Sequence, residues 1–366
     1  MLSKREPTLP KAFFAMRVLF VTRKYPPKIG GMESLSHSLL TGFPEPKGVI
    51  TLGRSQAHLV WFLPYVICRV ALTAHRYDII HLGDAMLSVA GFLPRLFGKR
   101  VAVSVHGLDM TFAPRLYQAY LRLFLRADAI IANSASTQRI AEGRGLARVC
   151  AIPIGVPARY FAISRAANRD AELERRRAGR VALLTVGRLV PRKGAAWFVR
   201  NVLPRLPSVL YVVVGVGPEH DEIVRAAAEV SVSDRVWLVG SVSDARLLDI
   251  LGTSDVFVMP NIAVPGNVEG FGIVAIEASA SGLPVVASRL EGIPDAIADG
   301  KNGTLVAPKD ADAFVAALQG LVESASERAE QGARGRAYTE QNYSWPQIIQ
   351  QYVALFARLW SAPGSP

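Results

Sequence analysis

The chain has 366 residues, 50% of them hydrophobic and 20% charged, and its 42 Lys and Arg against 30 Asp and Glu give a formal charge of +12. That length and apolar content can bury a large core and predict two domains of ordinary size. Two cysteines, Cys68 and Cys150, exclude a disulfide framework and a thiolate metal cluster, and they suit a reducing cytosol.

The first fifteen residues are polar and proline-punctuated, with too short an apolar run for a signal peptide. They read as a tail, or a misread start, ahead of a fold that begins at Met16. Short Val/Ile-rich runs without alternation then recur, as expected of strands covered on both faces of a parallel sheet. They are RVLFVT (17–22), GVITL (48–52), YDIIHLG (77–83), RVAVSVHG (100–107), ADAIIANS (127–134) and VCAIPIGVP (149–157). Helices are predicted over 30–43, 57–74 and 114–126. The apolar stretch at 57–68 holds Pro64, is followed by Arg69, and is too short to span a bilayer. An arginine-rich segment (164–180) precedes a second series: VALLTVGRL (181–189), VLYVVVGVGP (209–218), RVWLVGSV (235–242), SDVFVMPN (254–261), LPVVAS (283–288) and GTLVAP (303–308). A last helix over 345–360 follows the second sheet. The pattern predicts two doubly wound α/β domains, Rossmann-like, joined near residue 157 and facing a central cleft. The expected organisation is a tail (1–15), an N-terminal domain (16–157), a C-terminal domain (158–342), and a final segment (343–366) crossing back to the first domain.

Charge is unevenly spread. Residues 1–160 hold 21 Lys and Arg against 8 Asp and Glu, while 161–366 hold 21 against 22. A one-sided basic field points to an anionic partner of the first half, nucleic acid or a membrane surface, or to a solubilising surface. The helix over 57–74, with Trp61, Phe62 and Arg69, reads either as a membrane contact or as a core helix.

Ligands of open parallel sheets bind at the carboxyl ends of the strands, so residues just past strands carry the candidates. Gly30 and Gly31 open a helix after the first strand, where free N–H groups favour phosphate; paired glycines also serve plain turns. His106 ends a strand, as a site residue or a structural one. Arg188 and Lys193 follow the first strand of the second half, placed either to hold a diphosphate or as a solvated loop. In GNVEGFGIVAIEASASGLP (266–284), Glu269 precedes a helix expected to start near Phe271–Ile273 and to end at Gly282. It is either a cap or, with Gly270 and Gly272 leaving the backbone open, a ligand contact. Ile273, Ile276 and Ala280 mark the expected buried stripe, and Glu277 falls on that side, where a carboxylate is costly without a partner. Eight residues of helical rise separate the two glutamates by about 12 Å. That is too far for a glycosidase pair at roughly 5 to 10 Å, but it matches a nucleotide-sugar with its hexose and ribose at opposite ends. Free amides at Gly272, Ile273 and Val274 would face the phosphates.

These residues resemble the retaining glycosyltransferases of family 4, which have the GT-B fold. The resemblance runs from Met16 through GG (30–31), HG (106–107), IPIGVP (152–157), VGRL (186–189) with Lys193, VEGFGIVAIEASASGLPVVAS (268–288), DGKNGTLV (299–306) and YSW (343–345). It implies that Glu277 binds the donor ribose and Glu269 the donor hexose. It also implies that the amides of Gly270, Phe271, Gly272 and Ile273 contact sugar and diphosphate, that Arg188 and Lys193 stabilise the departing diphosphate, and that Gly240 meets the base. Gly30 and Gly31 would let the first domain close over the donor, and His106 would lie near the hexose and the acceptor hydroxyl. The implied reaction is hexosyl transfer with retention, by front-face attack, from a UDP- or GDP-sugar, with closure about residue 157 excluding water. No cofactor and no metal are expected. Asp310-Ala-Asp312 matches a D-x-D pattern but reads as a helix cap. The basic first domain would take a lipid-linked glycan or glycolipid acceptor, at an anionic membrane surface on the cytoplasmic side, in cell-envelope polysaccharide synthesis, with no nucleic acid partner. A GT-B nucleotide-sugar epimerase and a basic, non-catalytic membrane or RNA-binding protein are the alternatives.

Overall fold

The computed structural model describes residues 16–25, 31–44, 46–52, 58–112 and 114–362. They form two compact units, Met1–Ile152 with Trp345–Pro366, and Pro153–Ser344. The breaks fall at 152/153 and 344/345, where the sequence reading put 157/158 and 342/343.

The first unit holds β1 (Val18–Thr22), β2 (Lys47–Thr51), β3 (Ile79–Leu82), β4 (Arg100–Val105), β5 (Ala129–Ala132) and β6 (Val149–Ala151), in the order β2-β1-β3-β4-β5-β6. The second holds β7 (Val181–Val186), β8 (Val209–Val214), β9 (Val236–Gly240), β10 (Val256–Met259), β11 (Val285–Ser288) and β12 (Thr304–Val306), in the order β12-β11-β10-β7-β8-β9. Every pairing is parallel. The inner strands are buried along their length, which accounts for their unbroken apolar runs. The second sheet has the dinucleotide-fold order, which reverses between β7 and β10. Thr185 Oγ1 donates to the Val258 carbonyl at 2.6 Å and lies 2.8 Å from the Tyr211 hydroxyl, so the buried polar atoms that tie β7, β8 and β10 are satisfied.

The last helix, Trp345–Ser361, packs into the first unit. Tyr352 meets His81 edge-on at 5.9 Å and Phe356 meets it at a tilt at 5.7 Å, and Phe356 also meets Phe20 and Phe43. Burial, with His106 nearby, lowers the His81 pKa to about 3, so its ring is neutral and its Nε2 lies 2.8 Å from Ser104 Oγ.

The helix Leu59–Thr73 is a core helix on one side only. Phe62, Val66 and Val70 are buried, while Trp61 is 78% exposed and Arg69 is also at the surface. Asp310 caps the helix Ala311–Glu323 by accepting from the Ala313 amide at 2.9 Å, and Asp312 pairs with Arg205. Among the described residues no helix is long and apolar enough to cross a membrane.

Candidate active site

Glu269, Lys193 and Arg192 meet beyond the carboxyl ends of β7 and β10, the two strands between which the second sheet reverses. After β7 the chain passes Gly187 and Arg188 and makes one short turn, Pro191–Lys193, closed by Gly194 at φ +67°. After β10 it leaves through Pro260 and Asn261 and returns at Asn267 and Glu269. Lys193 Nζ lies 2.6 Å from Glu269 Oε2, which also accepts from Arg192 Nη1 and, at 3.1 Å, from Asn261 Nδ2. Arg192 Nε donates to Asn267 Oδ1 at 2.9 Å. The backbone of Glu269 is clasped from the other side. Its N–H donates to Glu291 Oε2, and its carbonyl accepts from the Gly292 amide at 3.1 Å.

Burial alone would raise the Glu269 pKa, but Lys193 and Arg192 hold the carboxyl below the usual carboxylate range. At the Glu269 side chain two cations therefore face one carboxylate, with Glu291 on the far side of its backbone. Arg188, exposed and without an ion pair to any described residue, adds a third cation within electrostatic reach of Lys193. Such a surplus suits a dianionic group. Asn261 Oδ1 is buried with no hydrogen-bond partner among the described residues, the kind of orphan acceptor that a ligand hydroxyl satisfies. Asn261, Asn267, Arg192 and Glu291 escaped the sequence reading. The one signal for Arg192 was its place beside Lys193 in a single basic turn.

Downstream of Glu269 the helix is Ile273–Ala280, shorter than the expected span to Gly282. Its N-cap, Gly272, has φ +88°, a left-handed conformation that favours glycine. Gly282, at φ +82°, sits just past the end, and the Leu283 amide donates back to the Ala278 carbonyl at 3.1 Å. Because residues 269–272 are not helical, the 12 Å rise drawn along the whole stretch applies only from Ile273 onward. The buried stripe also differs from the expected one. Ala275, Ile276, Ala278, Ser279 and Ala280 are buried, whereas Ile273, Val274 and Glu277 share a partly open side. Glu277 thus sits beside the core, where its carboxylate can face a ligand.

The Glu277 carboxyl group is desolvated although the residue as a whole is only half-buried. That pushes its pKa up to about 7, against a hydrogen bond from Tyr160 and the charge of Arg159. Tyr160, on the short helix Ala158–Phe161, was not anticipated as its partner. Phe271 is 2% exposed and packs on Tyr343, so only its backbone is left for a ligand, alongside Gly270. The N–H groups of Ile273 and Val274 lie in the first turn, without acceptors in their own helix. Gly240 ends the edge strand β9 at φ +79°, and a β-carbon there would meet nothing within 4 Å. Its carbonyl accepts from Gly215 at 2.9 Å.

In the first unit, His106 follows β4. Its amide donates to Asp109 Oδ2 at 3.1 Å and its Nε2 lies 3.4 Å from the Gly83 carbonyl, while Nδ1 is buried without a partner among the described residues. Beside it, Arg23 Nε donates to Asp84 Oδ2 at 2.8 Å, at the ends of β1 and β3, where the first sheet reverses. Gly31 is the first residue of the helix Gly31–Gly42; Gly30 lies outside the described residues.

Two parallel six-stranded sheets, the second with a cation–carboxylate cluster at its switch point, define a GT-B glycosyltransferase architecture. An Anabaena HepE structure in complex with UDP superposes with a TM-score of 0.74 at 20% identity, over 93% of this chain and 100% of that one. Residues 168–338 match the family "Glycosyl transferases group 1", and residues 15–160 match "Glycosyltransferase Family 4". The GDP-mannose-dependent alpha-(1-6)-phosphatidylinositol monomannoside mannosyltransferase of Mycolicibacterium smegmatis is 30% identical over 90% of this chain and 95% of its own length. A Corynebacterium glutamicum mannosyltransferase acting on monoacylated phosphatidylinositol monomannoside is 27% identical over 90% and 94%. The chain belongs to the glycosyltransferase family 4 enzymes and transfers a sugar from a nucleotide-sugar donor.

Proposed function

We propose that this enzyme is a retaining mannosyltransferase that moves mannose from GDP-mannose to a hydroxyl of a membrane glycolipid. The observation that carries the reading is the cluster of Lys193, Arg192 and Asn261 around Glu269 at the switch point of the second sheet. The donor and acceptor classes are supported by the relatives that use GDP-mannose and phosphatidylinositol mannosides.

In this reading the donor diphosphate takes the place of the Glu269 carboxylate on Lys193 and Arg192, with Arg188 beside them. The cations hold the charge that grows as the anomeric bond breaks. Glu269, released toward the sugar, accepts its hydroxyls, and Asn261 Oδ1 accepts one more. The amides of Gly270 to Val274 hold the sugar and diphosphate, Glu277 binds the ribose, and Gly240 leaves room for the base. His106 is the first unit's candidate for the hexose and acceptor side, and Gly30 and Gly31 are its candidates for the donor phosphates. The acceptor hydroxyl attacks the anomeric carbon on the face the diphosphate leaves, and its proton passes to the leaving phosphate, so configuration is retained. Arg192, Lys193 and Arg188 supply the charge that a metal would otherwise bring. The enzyme works peripherally at an anionic, cytoplasmic membrane face, as the basic first half suggests.

Thermal denaturation with GDP-mannose, UDP-glucose and UDP-GlcNAc tests the donor, since a ligand at 100 times its Kd stabilises by about 2.7 kcal/mol. A melting temperature raised only by the UDP-sugars would overturn GDP-mannose. NMR of the transferred linkage tests retention: a β-mannoside would refute it.

A further inference from the structure

The helix Arg115–Phe124 carries a surface that the transfer chemistry does not use. Its exposed positions, continued by Arg126, are Arg115, Leu116, Ala119, Arg122 and Leu123, spaced i, i+1, i+4, i+7, i+8. That spacing sets them on one stripe. Leu116 is 88% exposed and Leu123 58%, while Leu121 and Leu125 anchor the opposite side in the core. Arginines and leucines therefore alternate along an outward face, over an open depression of about 470 Å³ lined by Arg115, Gln118, Ala119, Arg122, Leu123 and Arg126.

The neighbouring helix Phe92–Leu96 extends the surface. The Phe92 and Phe124 rings meet at 6.4 Å, and Leu96 and Phe97 are 66% and 79% exposed. Charge here has one sign. Between Asp84 and Asp128 the sequence has six Lys and Arg and a single acid, Asp109, whose carboxylate accepts from the His106 amide. Arg115, Arg122 and Arg126 make no ion pair with a described residue.

We propose that this face docks on an anionic lipid surface. Arg115, Arg122 and Arg126 bind lipid phosphates at headgroup level, and Leu116, Leu123, Leu96 and Phe97 enter the acyl boundary. A nucleic acid would satisfy the arginines and leave those apolar side chains in water. A bilayer interface satisfies both kinds, so the lipid surface is the better match. The inference rests on the reading of a membrane glycolipid acceptor, and it is tested apart from it.

The test is sedimentation of the full chain with phosphatidylcholine vesicles, with and without phosphatidylglycerol. The wild type is compared with a triple variant (Arg115→Gln, Arg122→Gln, Arg126→Gln) and a double variant (Leu116→Ser, Leu123→Ser). All five positions are exposed, so the fold should persist, and a circular-dichroism melt of each variant checks that the first unit, which carries them, stays folded. The wild type should pellet with the anionic vesicles and not with pure phosphatidylcholine. Losing three arginines should weaken binding on the order of 100-fold, about fivefold each, and the leucine variant should also bind more weakly. Equal binding by either variant and the wild type overturns the proposal. So does a wild type that ignores the vesicles, whether or not it shifts an RNA probe. A wild type that docks through these residues but takes no GDP-mannose refutes the donor reading and supports this surface.

Discussion

Gly194 and Pro260 approach so closely that a β-carbon on Gly194 would lie 1.9 Å from the Pro260 carbonyl oxygen. Gly194 has φ +67°, and the Ile262 amide donates to the Arg192 carbonyl at 2.9 Å across the same gap. The loop after β7 is thereby stapled to the loop after β10, which brings Lys193 and Arg192 to Glu269. Gly194→Ala should cost about 2 kcal/mol or more in stability, from the strained backbone and the clash together. Chemical denaturation measures it, and a variant as stable as the wild type would show that the staple is not needed.

Removing one charge-stabilising donor of a departing anion typically costs about 10²- to 10³-fold in turnover. Lys193→Ala and Arg192→Ala should each fall in that range, and Glu269→Ala should lose as much with a raised donor KM. Arg188→Ala, at an exposed position, should lose less. Initial rates with saturating donor rank the four variants, and full activity in both Lys193→Ala and Glu269→Ala would refute the assigned site.

Glu277 titrates near neutrality. Its pKa is raised by burial to about 7, so its contribution to stability is present at acid pH and lost as pH rises through that value. The free enzyme should therefore melt lower at alkaline than at mildly acidic pH. In the proposed donor site ribose hydroxyls donate to the Glu277 carboxylate, so donor binding should favour the ionised form. The donor Kd should weaken about tenfold per pH unit below neutrality and level off above it. Glu277→Gln should bind the donor weakly and with a flat profile. Calorimetric titration in buffers of different ionisation heat would show proton release in the wild type alone.

If, as proposed, Arg192, Lys193 and Arg188 carry the charge that the leaving diphosphate develops, transfer should survive EDTA without loss. Rates before and after chelation, with magnesium or manganese added back, decide this; a rate restored only by the metal would overturn the metal-free step.

The inner strands were readable because a buried parallel strand needs an apolar side chain at nearly every position, and the half-exposed edge strands β2, β6 and β9 were readable as shorter Val/Ile-containing runs. Gly282 and Asp310 were readable as helix punctuation for local reasons. The partners of the glutamates were not. Arg192 and Lys193 reach Glu269 from 77 and 76 residues away, and Tyr160 reaches Glu277 from a helix more than a hundred positions upstream. Sequence spacing carries nothing about such pairs until strand order brings β7 beside β10. The side of the helix that bears Glu277 was misjudged because Ile273 looked like core, when its position at the open first turn leaves it partly accessible.

The ring cluster of Phe20, His81, Tyr352 and Phe356 has a consequence for how the gene can be cut. Because the last helix closes the first unit, residues 153–344 are an uninterrupted insert within a discontinuous domain. A fragment from Pro153 to Ser344 keeps the second unit's whole chain. One that stops at Ile152 strips the cover from Phe20 and His81 and exposes them to water. Separating the two halves by simple truncation should thus yield a well-behaved second unit and an aggregating first unit, unless the final helix is spliced back on.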